Sequence, residues 1–185
     1  AARHSNRPPS SPSSPFSPSS PFSPFSPSPA LIKAIAERVS QIGAELNRYP
    51  DREATSLRTS LANYINSQSG TSMDISNVWA ANGSNEIIQS IFLAFGRKSA
   101  LGFTPSYSMH PLIAKVTATP WIDGTRRKDF TLDCDAAVAQ IESLRPALTF
   151  VTTPNNPTGS AVLISEIQTL ARSTQLVGGL LVIDE

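Results

Sequence analysis

Apolar residues recur along the chain in two alternating patterns from residue 29 onward. Spacings of three and four positions predict six helices, at about 29–46, 57–70, 84–95, 107–116, 133–144 and 163–171. Short runs rich in β-branched and aromatic residues predict strands at 78–81, 100–103, 119–122, 148–152 and 180–183. Strands that alternate with helices of this length indicate an α/β fold, with a largely parallel sheet flanked by helices.

The first 29 residues have a different composition. They hold nine prolines, eleven serines and three phenylalanines. Proline fixes φ and removes a backbone donor, so residues 1–28 are predicted to be a disordered Pro/Ser/Phe-rich segment that folding does not need. Two functional alternatives stay open for it: a Pro-rich docking segment, or a plastid transit peptide, because the stretch is Ser-rich and has no acidic residue before Glu37.

Charge and cysteine content exclude several classes of protein. The formal net charge is +1, and the largest basic block, residues 126–128, is interpreted as a solvated loop or the rim of an anion site. No apolar stretch approaches the roughly 20 residues of a membrane span, so neither nucleic acid nor membrane is expected as a partner. Cys134 is the only cysteine, which excludes a disulfide framework and a zinc cluster and fits a cytoplasmic protein.

A rigid polar turn follows the predicted strand at 148–152. Residues 153–159 read Thr-Pro-Asn-Asn-Pro-Thr-Gly, and the two prolines hold Asn155 and Asn156 on a loop with their side-chain amides free. Loops at the carboxyl ends of strands are where α/β sheets bind ligands. An ordinary turn is the alternative, because Asn and Pro are common turn residues.

Four more residues carry side chains suited to a ligand. Ser84 and Asn85 begin a helix, where free N–H groups attract anions. Tyr107 follows a strand and could stack on a flat heterocycle, while Asp184 ends an apolar strand with a carboxylate. The alternatives are that Ser84 or Asn85 only caps the helix, that Tyr107 packs under the loop, and that Asp184 is a helix cap or a surface acid. His110 has no partner at metal or triad spacing and is interpreted as structural.

Residues 155–159, Asn-Asn-Pro-Thr-Gly, resemble the asparagine loop of fold-type I aminotransferases, which use pyridoxal 5′-phosphate. Three further segments are similar to the histidinol-phosphate aminotransferase family: residues 46–51, Leu-Asn-Arg-Tyr-Pro-Asp; residues 81–86, Ala-Asn-Gly-Ser-Asn-Glu; and residues 103–109, Phe-Thr-Pro-Ser-Tyr-Ser-Met. The resemblance covers about residues 29–185. It implies an incomplete aminotransferase domain there, the first part of a fold-type I large domain, and the chain is expected to be a fragment.

The resemblance also implies an activity and a site. The expected reaction is transamination of histidinol phosphate with 2-oxoglutarate and glutamate as the other pair, in a homodimer. The implied cofactor contacts are Ser84 and Asn85 at the phosphate, Tyr107 on the ring, Asn156 at O3′, Asp184 at the pyridine nitrogen, and Tyr49 of the partner subunit at the phosphate. No metal is expected.

The lysine that such chemistry requires is not identified in this sequence. None of the four lysines, Lys33, Lys98, Lys115 and Lys128, lies in the family's Ser-x-x-Lys or Ser-Lys context after a strand. No catalytic residue is therefore assigned, and this stretch alone is expected to be inactive. An aromatic-amino-acid aminotransferase or a phosphothreonine decarboxylase of the same fold is the alternative. A non-catalytic fragment with a Pro-rich binding tail is another.

Overall fold

A computed structural model describes residues 26–185. The chain divides into two units, Ala1–Ala54 and Thr55–Glu185. The predicted disordered segment at 1–28 lies almost wholly outside the described residues, so its disorder stays a prediction, as does a domain boundary at residue 28. No helix in the described part of the chain is long and apolar enough to cross a membrane.

The first unit contains helix α1, Pro29–Ile42. Ser28 caps it, because its hydroxyl accepts a hydrogen bond from the Leu31 N–H at 3.2 Å, and Pro29 occupies the first turn, where its missing N–H costs nothing. This confirms the predicted helix start. The helix ends earlier than the apolar spacing predicts, in a 3₁₀ turn at Gly43–Glu45.

From residue 84 onward the second unit alternates helices with strands, as predicted. Its elements are α2 Thr55–Ser69, α3 Ser84–Phe95, β1 Ala100–Thr104, α4 Met109–Val116, β2 Trp121–Thr125, α5 Cys134–Leu144, β3 Leu148–Thr152, α6 Ile164–Leu176 and β4 Leu180–Asp184. Asp133 caps α5, since its carboxylate accepts from the Ala136 N–H at 3.1 Å. Of the two capping candidates in the sequence, the structure therefore selects Asp133 over Asp135.

The four strands form one parallel sheet in the order β2-β1-β3-β4. This confirms the predicted α/β fold. Strand β2 lies on one side of β1, whereas β3 and β4 lie on the other, so the direction of winding reverses between β1 and β3. The ladder there has only two residue pairs, Ala100–Leu148 and Leu101–Thr149, against five in each of the other two ladders. A ligand-binding crevice is typical of this switch point.

Two hydrophobic clusters cover the two faces of the sheet. Alternate residues of a strand point to opposite faces, which divides the apolar side chains of β1 and β3 between the clusters. Leu101, Phe103 and Val151 pack with apolar residues of α5 and α6. Ala100, Leu148 and Phe150 pack with apolar residues of α3 and α4. The sheet is thus sandwiched by helices, and its carboxyl edge is left for loops.

The strand predicted at 78–81 is absent. Val78 is extended, but its N–H donates to the Ile75 carbonyl at 3.3 Å and its own carbonyl accepts from Arg58 Nε at 2.5 Å. These two bonds use the backbone groups that a ladder would need. The apolar run therefore leads into α3 as a fixed connection rather than as a sheet strand.

Candidate functional site

A cavity of about 190 Å³ opens at the carboxyl ends of β3 and β4. Four of the six residues singled out in the sequence line it: Ser84, Tyr107, Asn156 and Asp184, together with Thr152, Pro154 and Glu185. Asn85 stands beside them, because the Tyr107 hydroxyl donates to its Oδ1 at 3.4 Å. Tyr49 lies in the other unit, where its side chain is fully exposed.

The amino-terminal end of α3 is open toward an anion. Gly83, with φ of +87°, makes the turn into the helix and contributes no side-chain cap. The Glu86 carboxylate is turned back and accepts from the Asn82 N–H at 2.7 Å. The N–H groups of Ser84 and Asn85 therefore find no acceptor within residues 26–185, and together with the helix dipole they favour a bound anion.

The two asparagines of the 153–159 turn have different environments. Asn155 is 2% exposed, and its Nδ2 donates to the Pro105 carbonyl at 3.0 Å and to Thr158 Oγ1 at 2.8 Å. Asn156 is exposed and lines the cavity. Asn155 therefore joins two loops from within, and Asn156 is the asparagine left to face a ligand.

Asp184 has a partner that sequence reasoning missed. His110, interpreted above as partnerless, is 2% exposed, and its Nε2 lies 3.1 Å from Asp184 Oδ2, although the ring N–H is not directed well enough for a hydrogen bond. The His110 ring meets Tyr107 edge-on at 5.5 Å between centroids and packs on Phe150 at 4.8 Å. The imidazole thereby connects the aromatic core to the acid of the cavity.

The environment of His110 keeps its ring neutral. Burial lowers its pKa below the ordinary 6.5, and the nearby Asp184 carboxylate opposes this shift only in part. At neutral pH the His110 ring therefore adds no formal charge to the cavity.

This lowered pKa leads to an expected pH dependence of stability. As the pH falls through 6.5, the unfolded chain takes up a proton at His110 while the folded chain does not, so the free energy of unfolding falls until the folded-state pKa is reached. In the cofactor-free full-length protein, the melting temperature is expected to drop more steeply between pH 7 and pH 5 than in a His110→Gln variant. Parallel slopes in the two proteins would contradict the assignment.

The basic block at 126–128 also differs from its interpretation as a solvated loop. Arg126 is half-buried, and its guanidinium donates to three carbonyls, those of Phe103, Phe130 and Thr152. Arg127 follows the expectation, since it is exposed and pairs with Asp133 at 3.0 Å. Within the described residues no group of three or more His, Cys, Asp or Glu side chains is arranged to hold a metal ion.

The chain is similar to known proteins in sequence and in fold. The chain is 48% identical over 158 residues to a histidinol-phosphate aminotransferase of Mycobacterium ulcerans, and 51% identical over 158 residues to one of Rhodococcus opacus. Each match covers 84% of this chain and 41% of the relative, so the chain spans about two fifths of the length of these curated relatives. The PLP-bound C-S lyase of Staphylococcus hominis has the same fold, with a TM-score of 0.73 at 17% identity over 85% of this chain and 41% of the lyase.

The family profile for aminotransferase class I and II matches residues 20–185. This match covers every element of the sheet and every residue of the 190 Å³ cavity. The resemblance drawn from residues 46–51, 81–86, 103–109 and 155–159 is therefore confirmed at the level of the family. The chain belongs to the class I and II aminotransferases.

Proposed function

We propose that the full-length protein transfers an amino group between histidinol phosphate and 2-oxoglutarate, with pyridoxal 5′-phosphate as cofactor. The observation that carries the proposal is the cavity at the carboxyl edge of the sheet, where an open helix end, an aromatic ring, an amide and a paired carboxylate meet. Family membership supports the reaction class. The names of the relatives at 48–51% identity support the substrate.

The residues of the cavity fit the chemistry of this cofactor. Its phosphate is an anion, which suits the free N–H groups at Ser84 and Asn85. Its pyridine ring is flat, which suits stacking on the half-buried Tyr107. Its ring nitrogen is basic, which suits the Asp184 carboxylate. Its O3′ accepts hydrogen bonds, which suits the Asn156 amide.

Each residue then has a task in the reaction. Pyridoxal phosphate, when bound, supplies an electron sink for the bonds at the substrate's α-carbon. Asp184 holds a proton at the ring nitrogen, and the buried His110 lies beside its carboxylate, with Nε2 3.1 Å from Oδ2. Tyr107 covers the ring and excludes water from it, while the start of α3 fixes the phosphate end.

Amino transfer also needs a lysine amine that moves a proton during the reaction. None of the lysines at 33, 98, 115 and 128 lines the cavity among the residues that the structure describes. The proposal therefore assigns the binding of the cofactor to this stretch of the protein. It assigns no proton-transfer lysine to it.

We also propose a homodimer in which Tyr49 reaches the cofactor phosphate of the neighbouring subunit. The Tyr49 side chain is fully exposed in its own unit and is available to a partner. A cytoplasmic location is favoured by the bacterial relatives and the single cysteine. A plastid location is the alternative if residues 1–28 act as a transit peptide.

The substrate assignment is tested by comparing amino donors with the full-length protein and the cofactor. Glutamate formation from 2-oxoglutarate is expected to have a kcat/KM for histidinol phosphate at least about tenfold above that for phenylalanine, because a charged phosphate adds contacts that a phenyl ring lacks. Faster turnover of phenylalanine would favour the aromatic aminotransferase alternative. Carbon dioxide release from phosphothreonine would favour the decarboxylase, and no turnover of any donor would refute the proposal.

A further inference from the structure

The sheet is open between β1 and β3 at the edge where the cavity lies. Their ladder ends at Leu101 and Thr149, although both strands continue for three more residues. The carbonyls of Phe103 and Thr152 lie beyond the last pair. Buried carbonyls need donors, so something else must bond these two strand ends.

Arg126 supplies those donors. Its Nε donates to the Phe103 carbonyl at 3.2 Å, and its Nη2 donates to the Thr152 carbonyl at 3.4 Å. A guanidinium is planar and carries five N–H groups, which lets one side chain bridge two strands. Arg126 thus lies across the switch point, between the strand that leads to Tyr107 and the strand that leads to Asn156.

The third bond of Arg126 leads into the asparagine loop. Its Nη1 donates to the Phe130 carbonyl at 3.4 Å, and the Ser160 hydroxyl donates to the same carbonyl at 2.9 Å. Because the Ser160 proton is used there, the 2.9 Å contact between Ser160 and Thr158 is a bond donated by Thr158. Asn155 then donates to Thr158 at 2.8 Å and to the Pro105 carbonyl at 3.0 Å.

These bonds form one connected network with a consistent donor direction. It joins Arg126 to the base of the loop that carries Asn156 and, through Pro105, to the loop that carries Tyr107. The Ser106 hydroxyl adds a second connection between that loop and β3, donating to Thr152 Oγ1 at 3.0 Å. The two loops that would hold opposite sides of a ligand therefore share one anchor.

We propose that Arg126 is a positioning residue for the cofactor cavity, which sets the separation between the Tyr107 loop and the Asn156 loop. For the identity of the ligand, this inference rests on the proposed function. The competing possibility is that Arg126 only stabilises the sheet, in which case its loss would destabilise the whole protein without selectively loosening these loops.

Three variants of the full-length protein separate these roles. Arg126→Gln removes the charge and two of the three bonds, whereas Arg126→Lys keeps a charge but has a point-like ammonium that cannot bridge three carbonyls. Arg127→Gln is the matched control, because the neighbouring Arg127 is exposed and its guanidinium pairs with Asp133, the N-cap of α5, rather than with either loop.

The first measurement is hydrogen exchange in the cofactor-free protein. The reporter amides are those of Asn155 and Gly159, which bond Ser160 and Asn155 carbonyls at 2.8 and 2.6 Å inside the turn. In Arg126→Gln their exchange is expected to rise at least about tenfold, with a smaller rise in Arg126→Lys and none in Arg127→Gln. The amides of α5 are the internal reference, and a uniform rise across the loop and α5 would overturn the proposal.

The second measurement is the binding of pyridoxal phosphate. The dissociation constant is expected to rise at least about tenfold in Arg126→Gln, with a weaker circular dichroism band of the bound cofactor. If Arg126→Gln does not fold, the same two measurements on Arg126→Lys test the proposal. Loop exchange rates and a dissociation constant equal to those of the wild type would overturn it. Absence of cofactor binding by the wild type would refute the proposed function instead. Hydrogen exchange at the Asn155 and Gly159 amides would still test the role of Arg126.

Discussion

Replacing Asp184 with asparagine is expected to lower the kcat/KM of the full-length enzyme at least about 100-fold. The carboxylate lies in the cavity at the end of β4, 3.1 Å from the ring nitrogen Nε2 of the buried His110. An amide of the same shape cannot form an ion pair with a protonated ring nitrogen. Lowering the basicity of that nitrogen by two pKa units costs about 2.7 kcal/mol of stabilisation, which accounts for the size of the loss.

Two further substitutions make this result specific. Asn156→Ala removes one hydrogen bond to a ligand, worth about 1 kcal/mol, so a loss of roughly fivefold is expected. Asp135→Asn is the matched control, because Asp135 is an exposed carboxylate in the first turn of α5 and does not line the cavity. Steady-state kinetics with histidinol phosphate would measure all three. Equal losses for Asp184 and Asn156, or a reversed order, would refute the role of Asp184.

Truncating Phe150 to alanine is expected to cost about 3–5 kcal/mol of unfolding free energy. The ring is 2% exposed, stacks on Phe92 with 5.0 Å between centroids, and lies 4.8 Å from the His110 ring. Its removal leaves a cavity between the central strand β3 and helices α3 and α4. It also removes the surface on which His110 rests, so cofactor affinity is expected to fall together with stability.

Urea unfolding of the cofactor-free protein would measure this effect. Phe95→Ala is the matched control: Phe95 lies at the end of α3 and is 54% exposed, so a loss below about 1 kcal/mol is expected. Similar losses for the two phenylalanines would mean that Phe150 is not a central core residue. If Phe150→Ala lost stability but kept its cofactor affinity, the position of His110 would not depend on the Phe150 ring.

Local rules predict much of this fold. Two helix starts have local sequence signals: Ser28 is followed by Pro29 at the start of α1, and Asp133 precedes α5 as its N-cap. The alternation of helices and strands was sufficient to predict a parallel sheet, because a crossover helix returns the chain to the same edge. For the same reason Asn156 and Asp184, each just after or at the end of a strand, were expected at one edge, and one cavity contains both.

Contacts between distant elements could not be predicted in this way. The pairing of His110 with Asp184 joins the start of α4 to the end of β4, and no spacing in the sequence encodes that proximity. Arg126 is a second example. Its basic neighbours in the sequence indicate a solvated loop, but its guanidinium donates to strand carbonyls at the gap between β1 and β3. Asn155 and Asn156 have the same side chain, and the structure distinguishes them by the burial of Asn155 and by its bonds to Pro105 and Thr158. The cofactor contacts of the cavity residues stay predictions.

The complete burial of β3 limits how homologous sequences can vary in length. All five of its residues are buried, and successive side chains point to opposite faces of the sheet. A one-residue insertion or deletion would therefore move the side chains of each face to the other face. The same change would shift the following turn by about 3.3 Å along the strand. A gap placed within residues 148–152 in an alignment therefore marks either a misaligned pair or a protein that has lost this cavity.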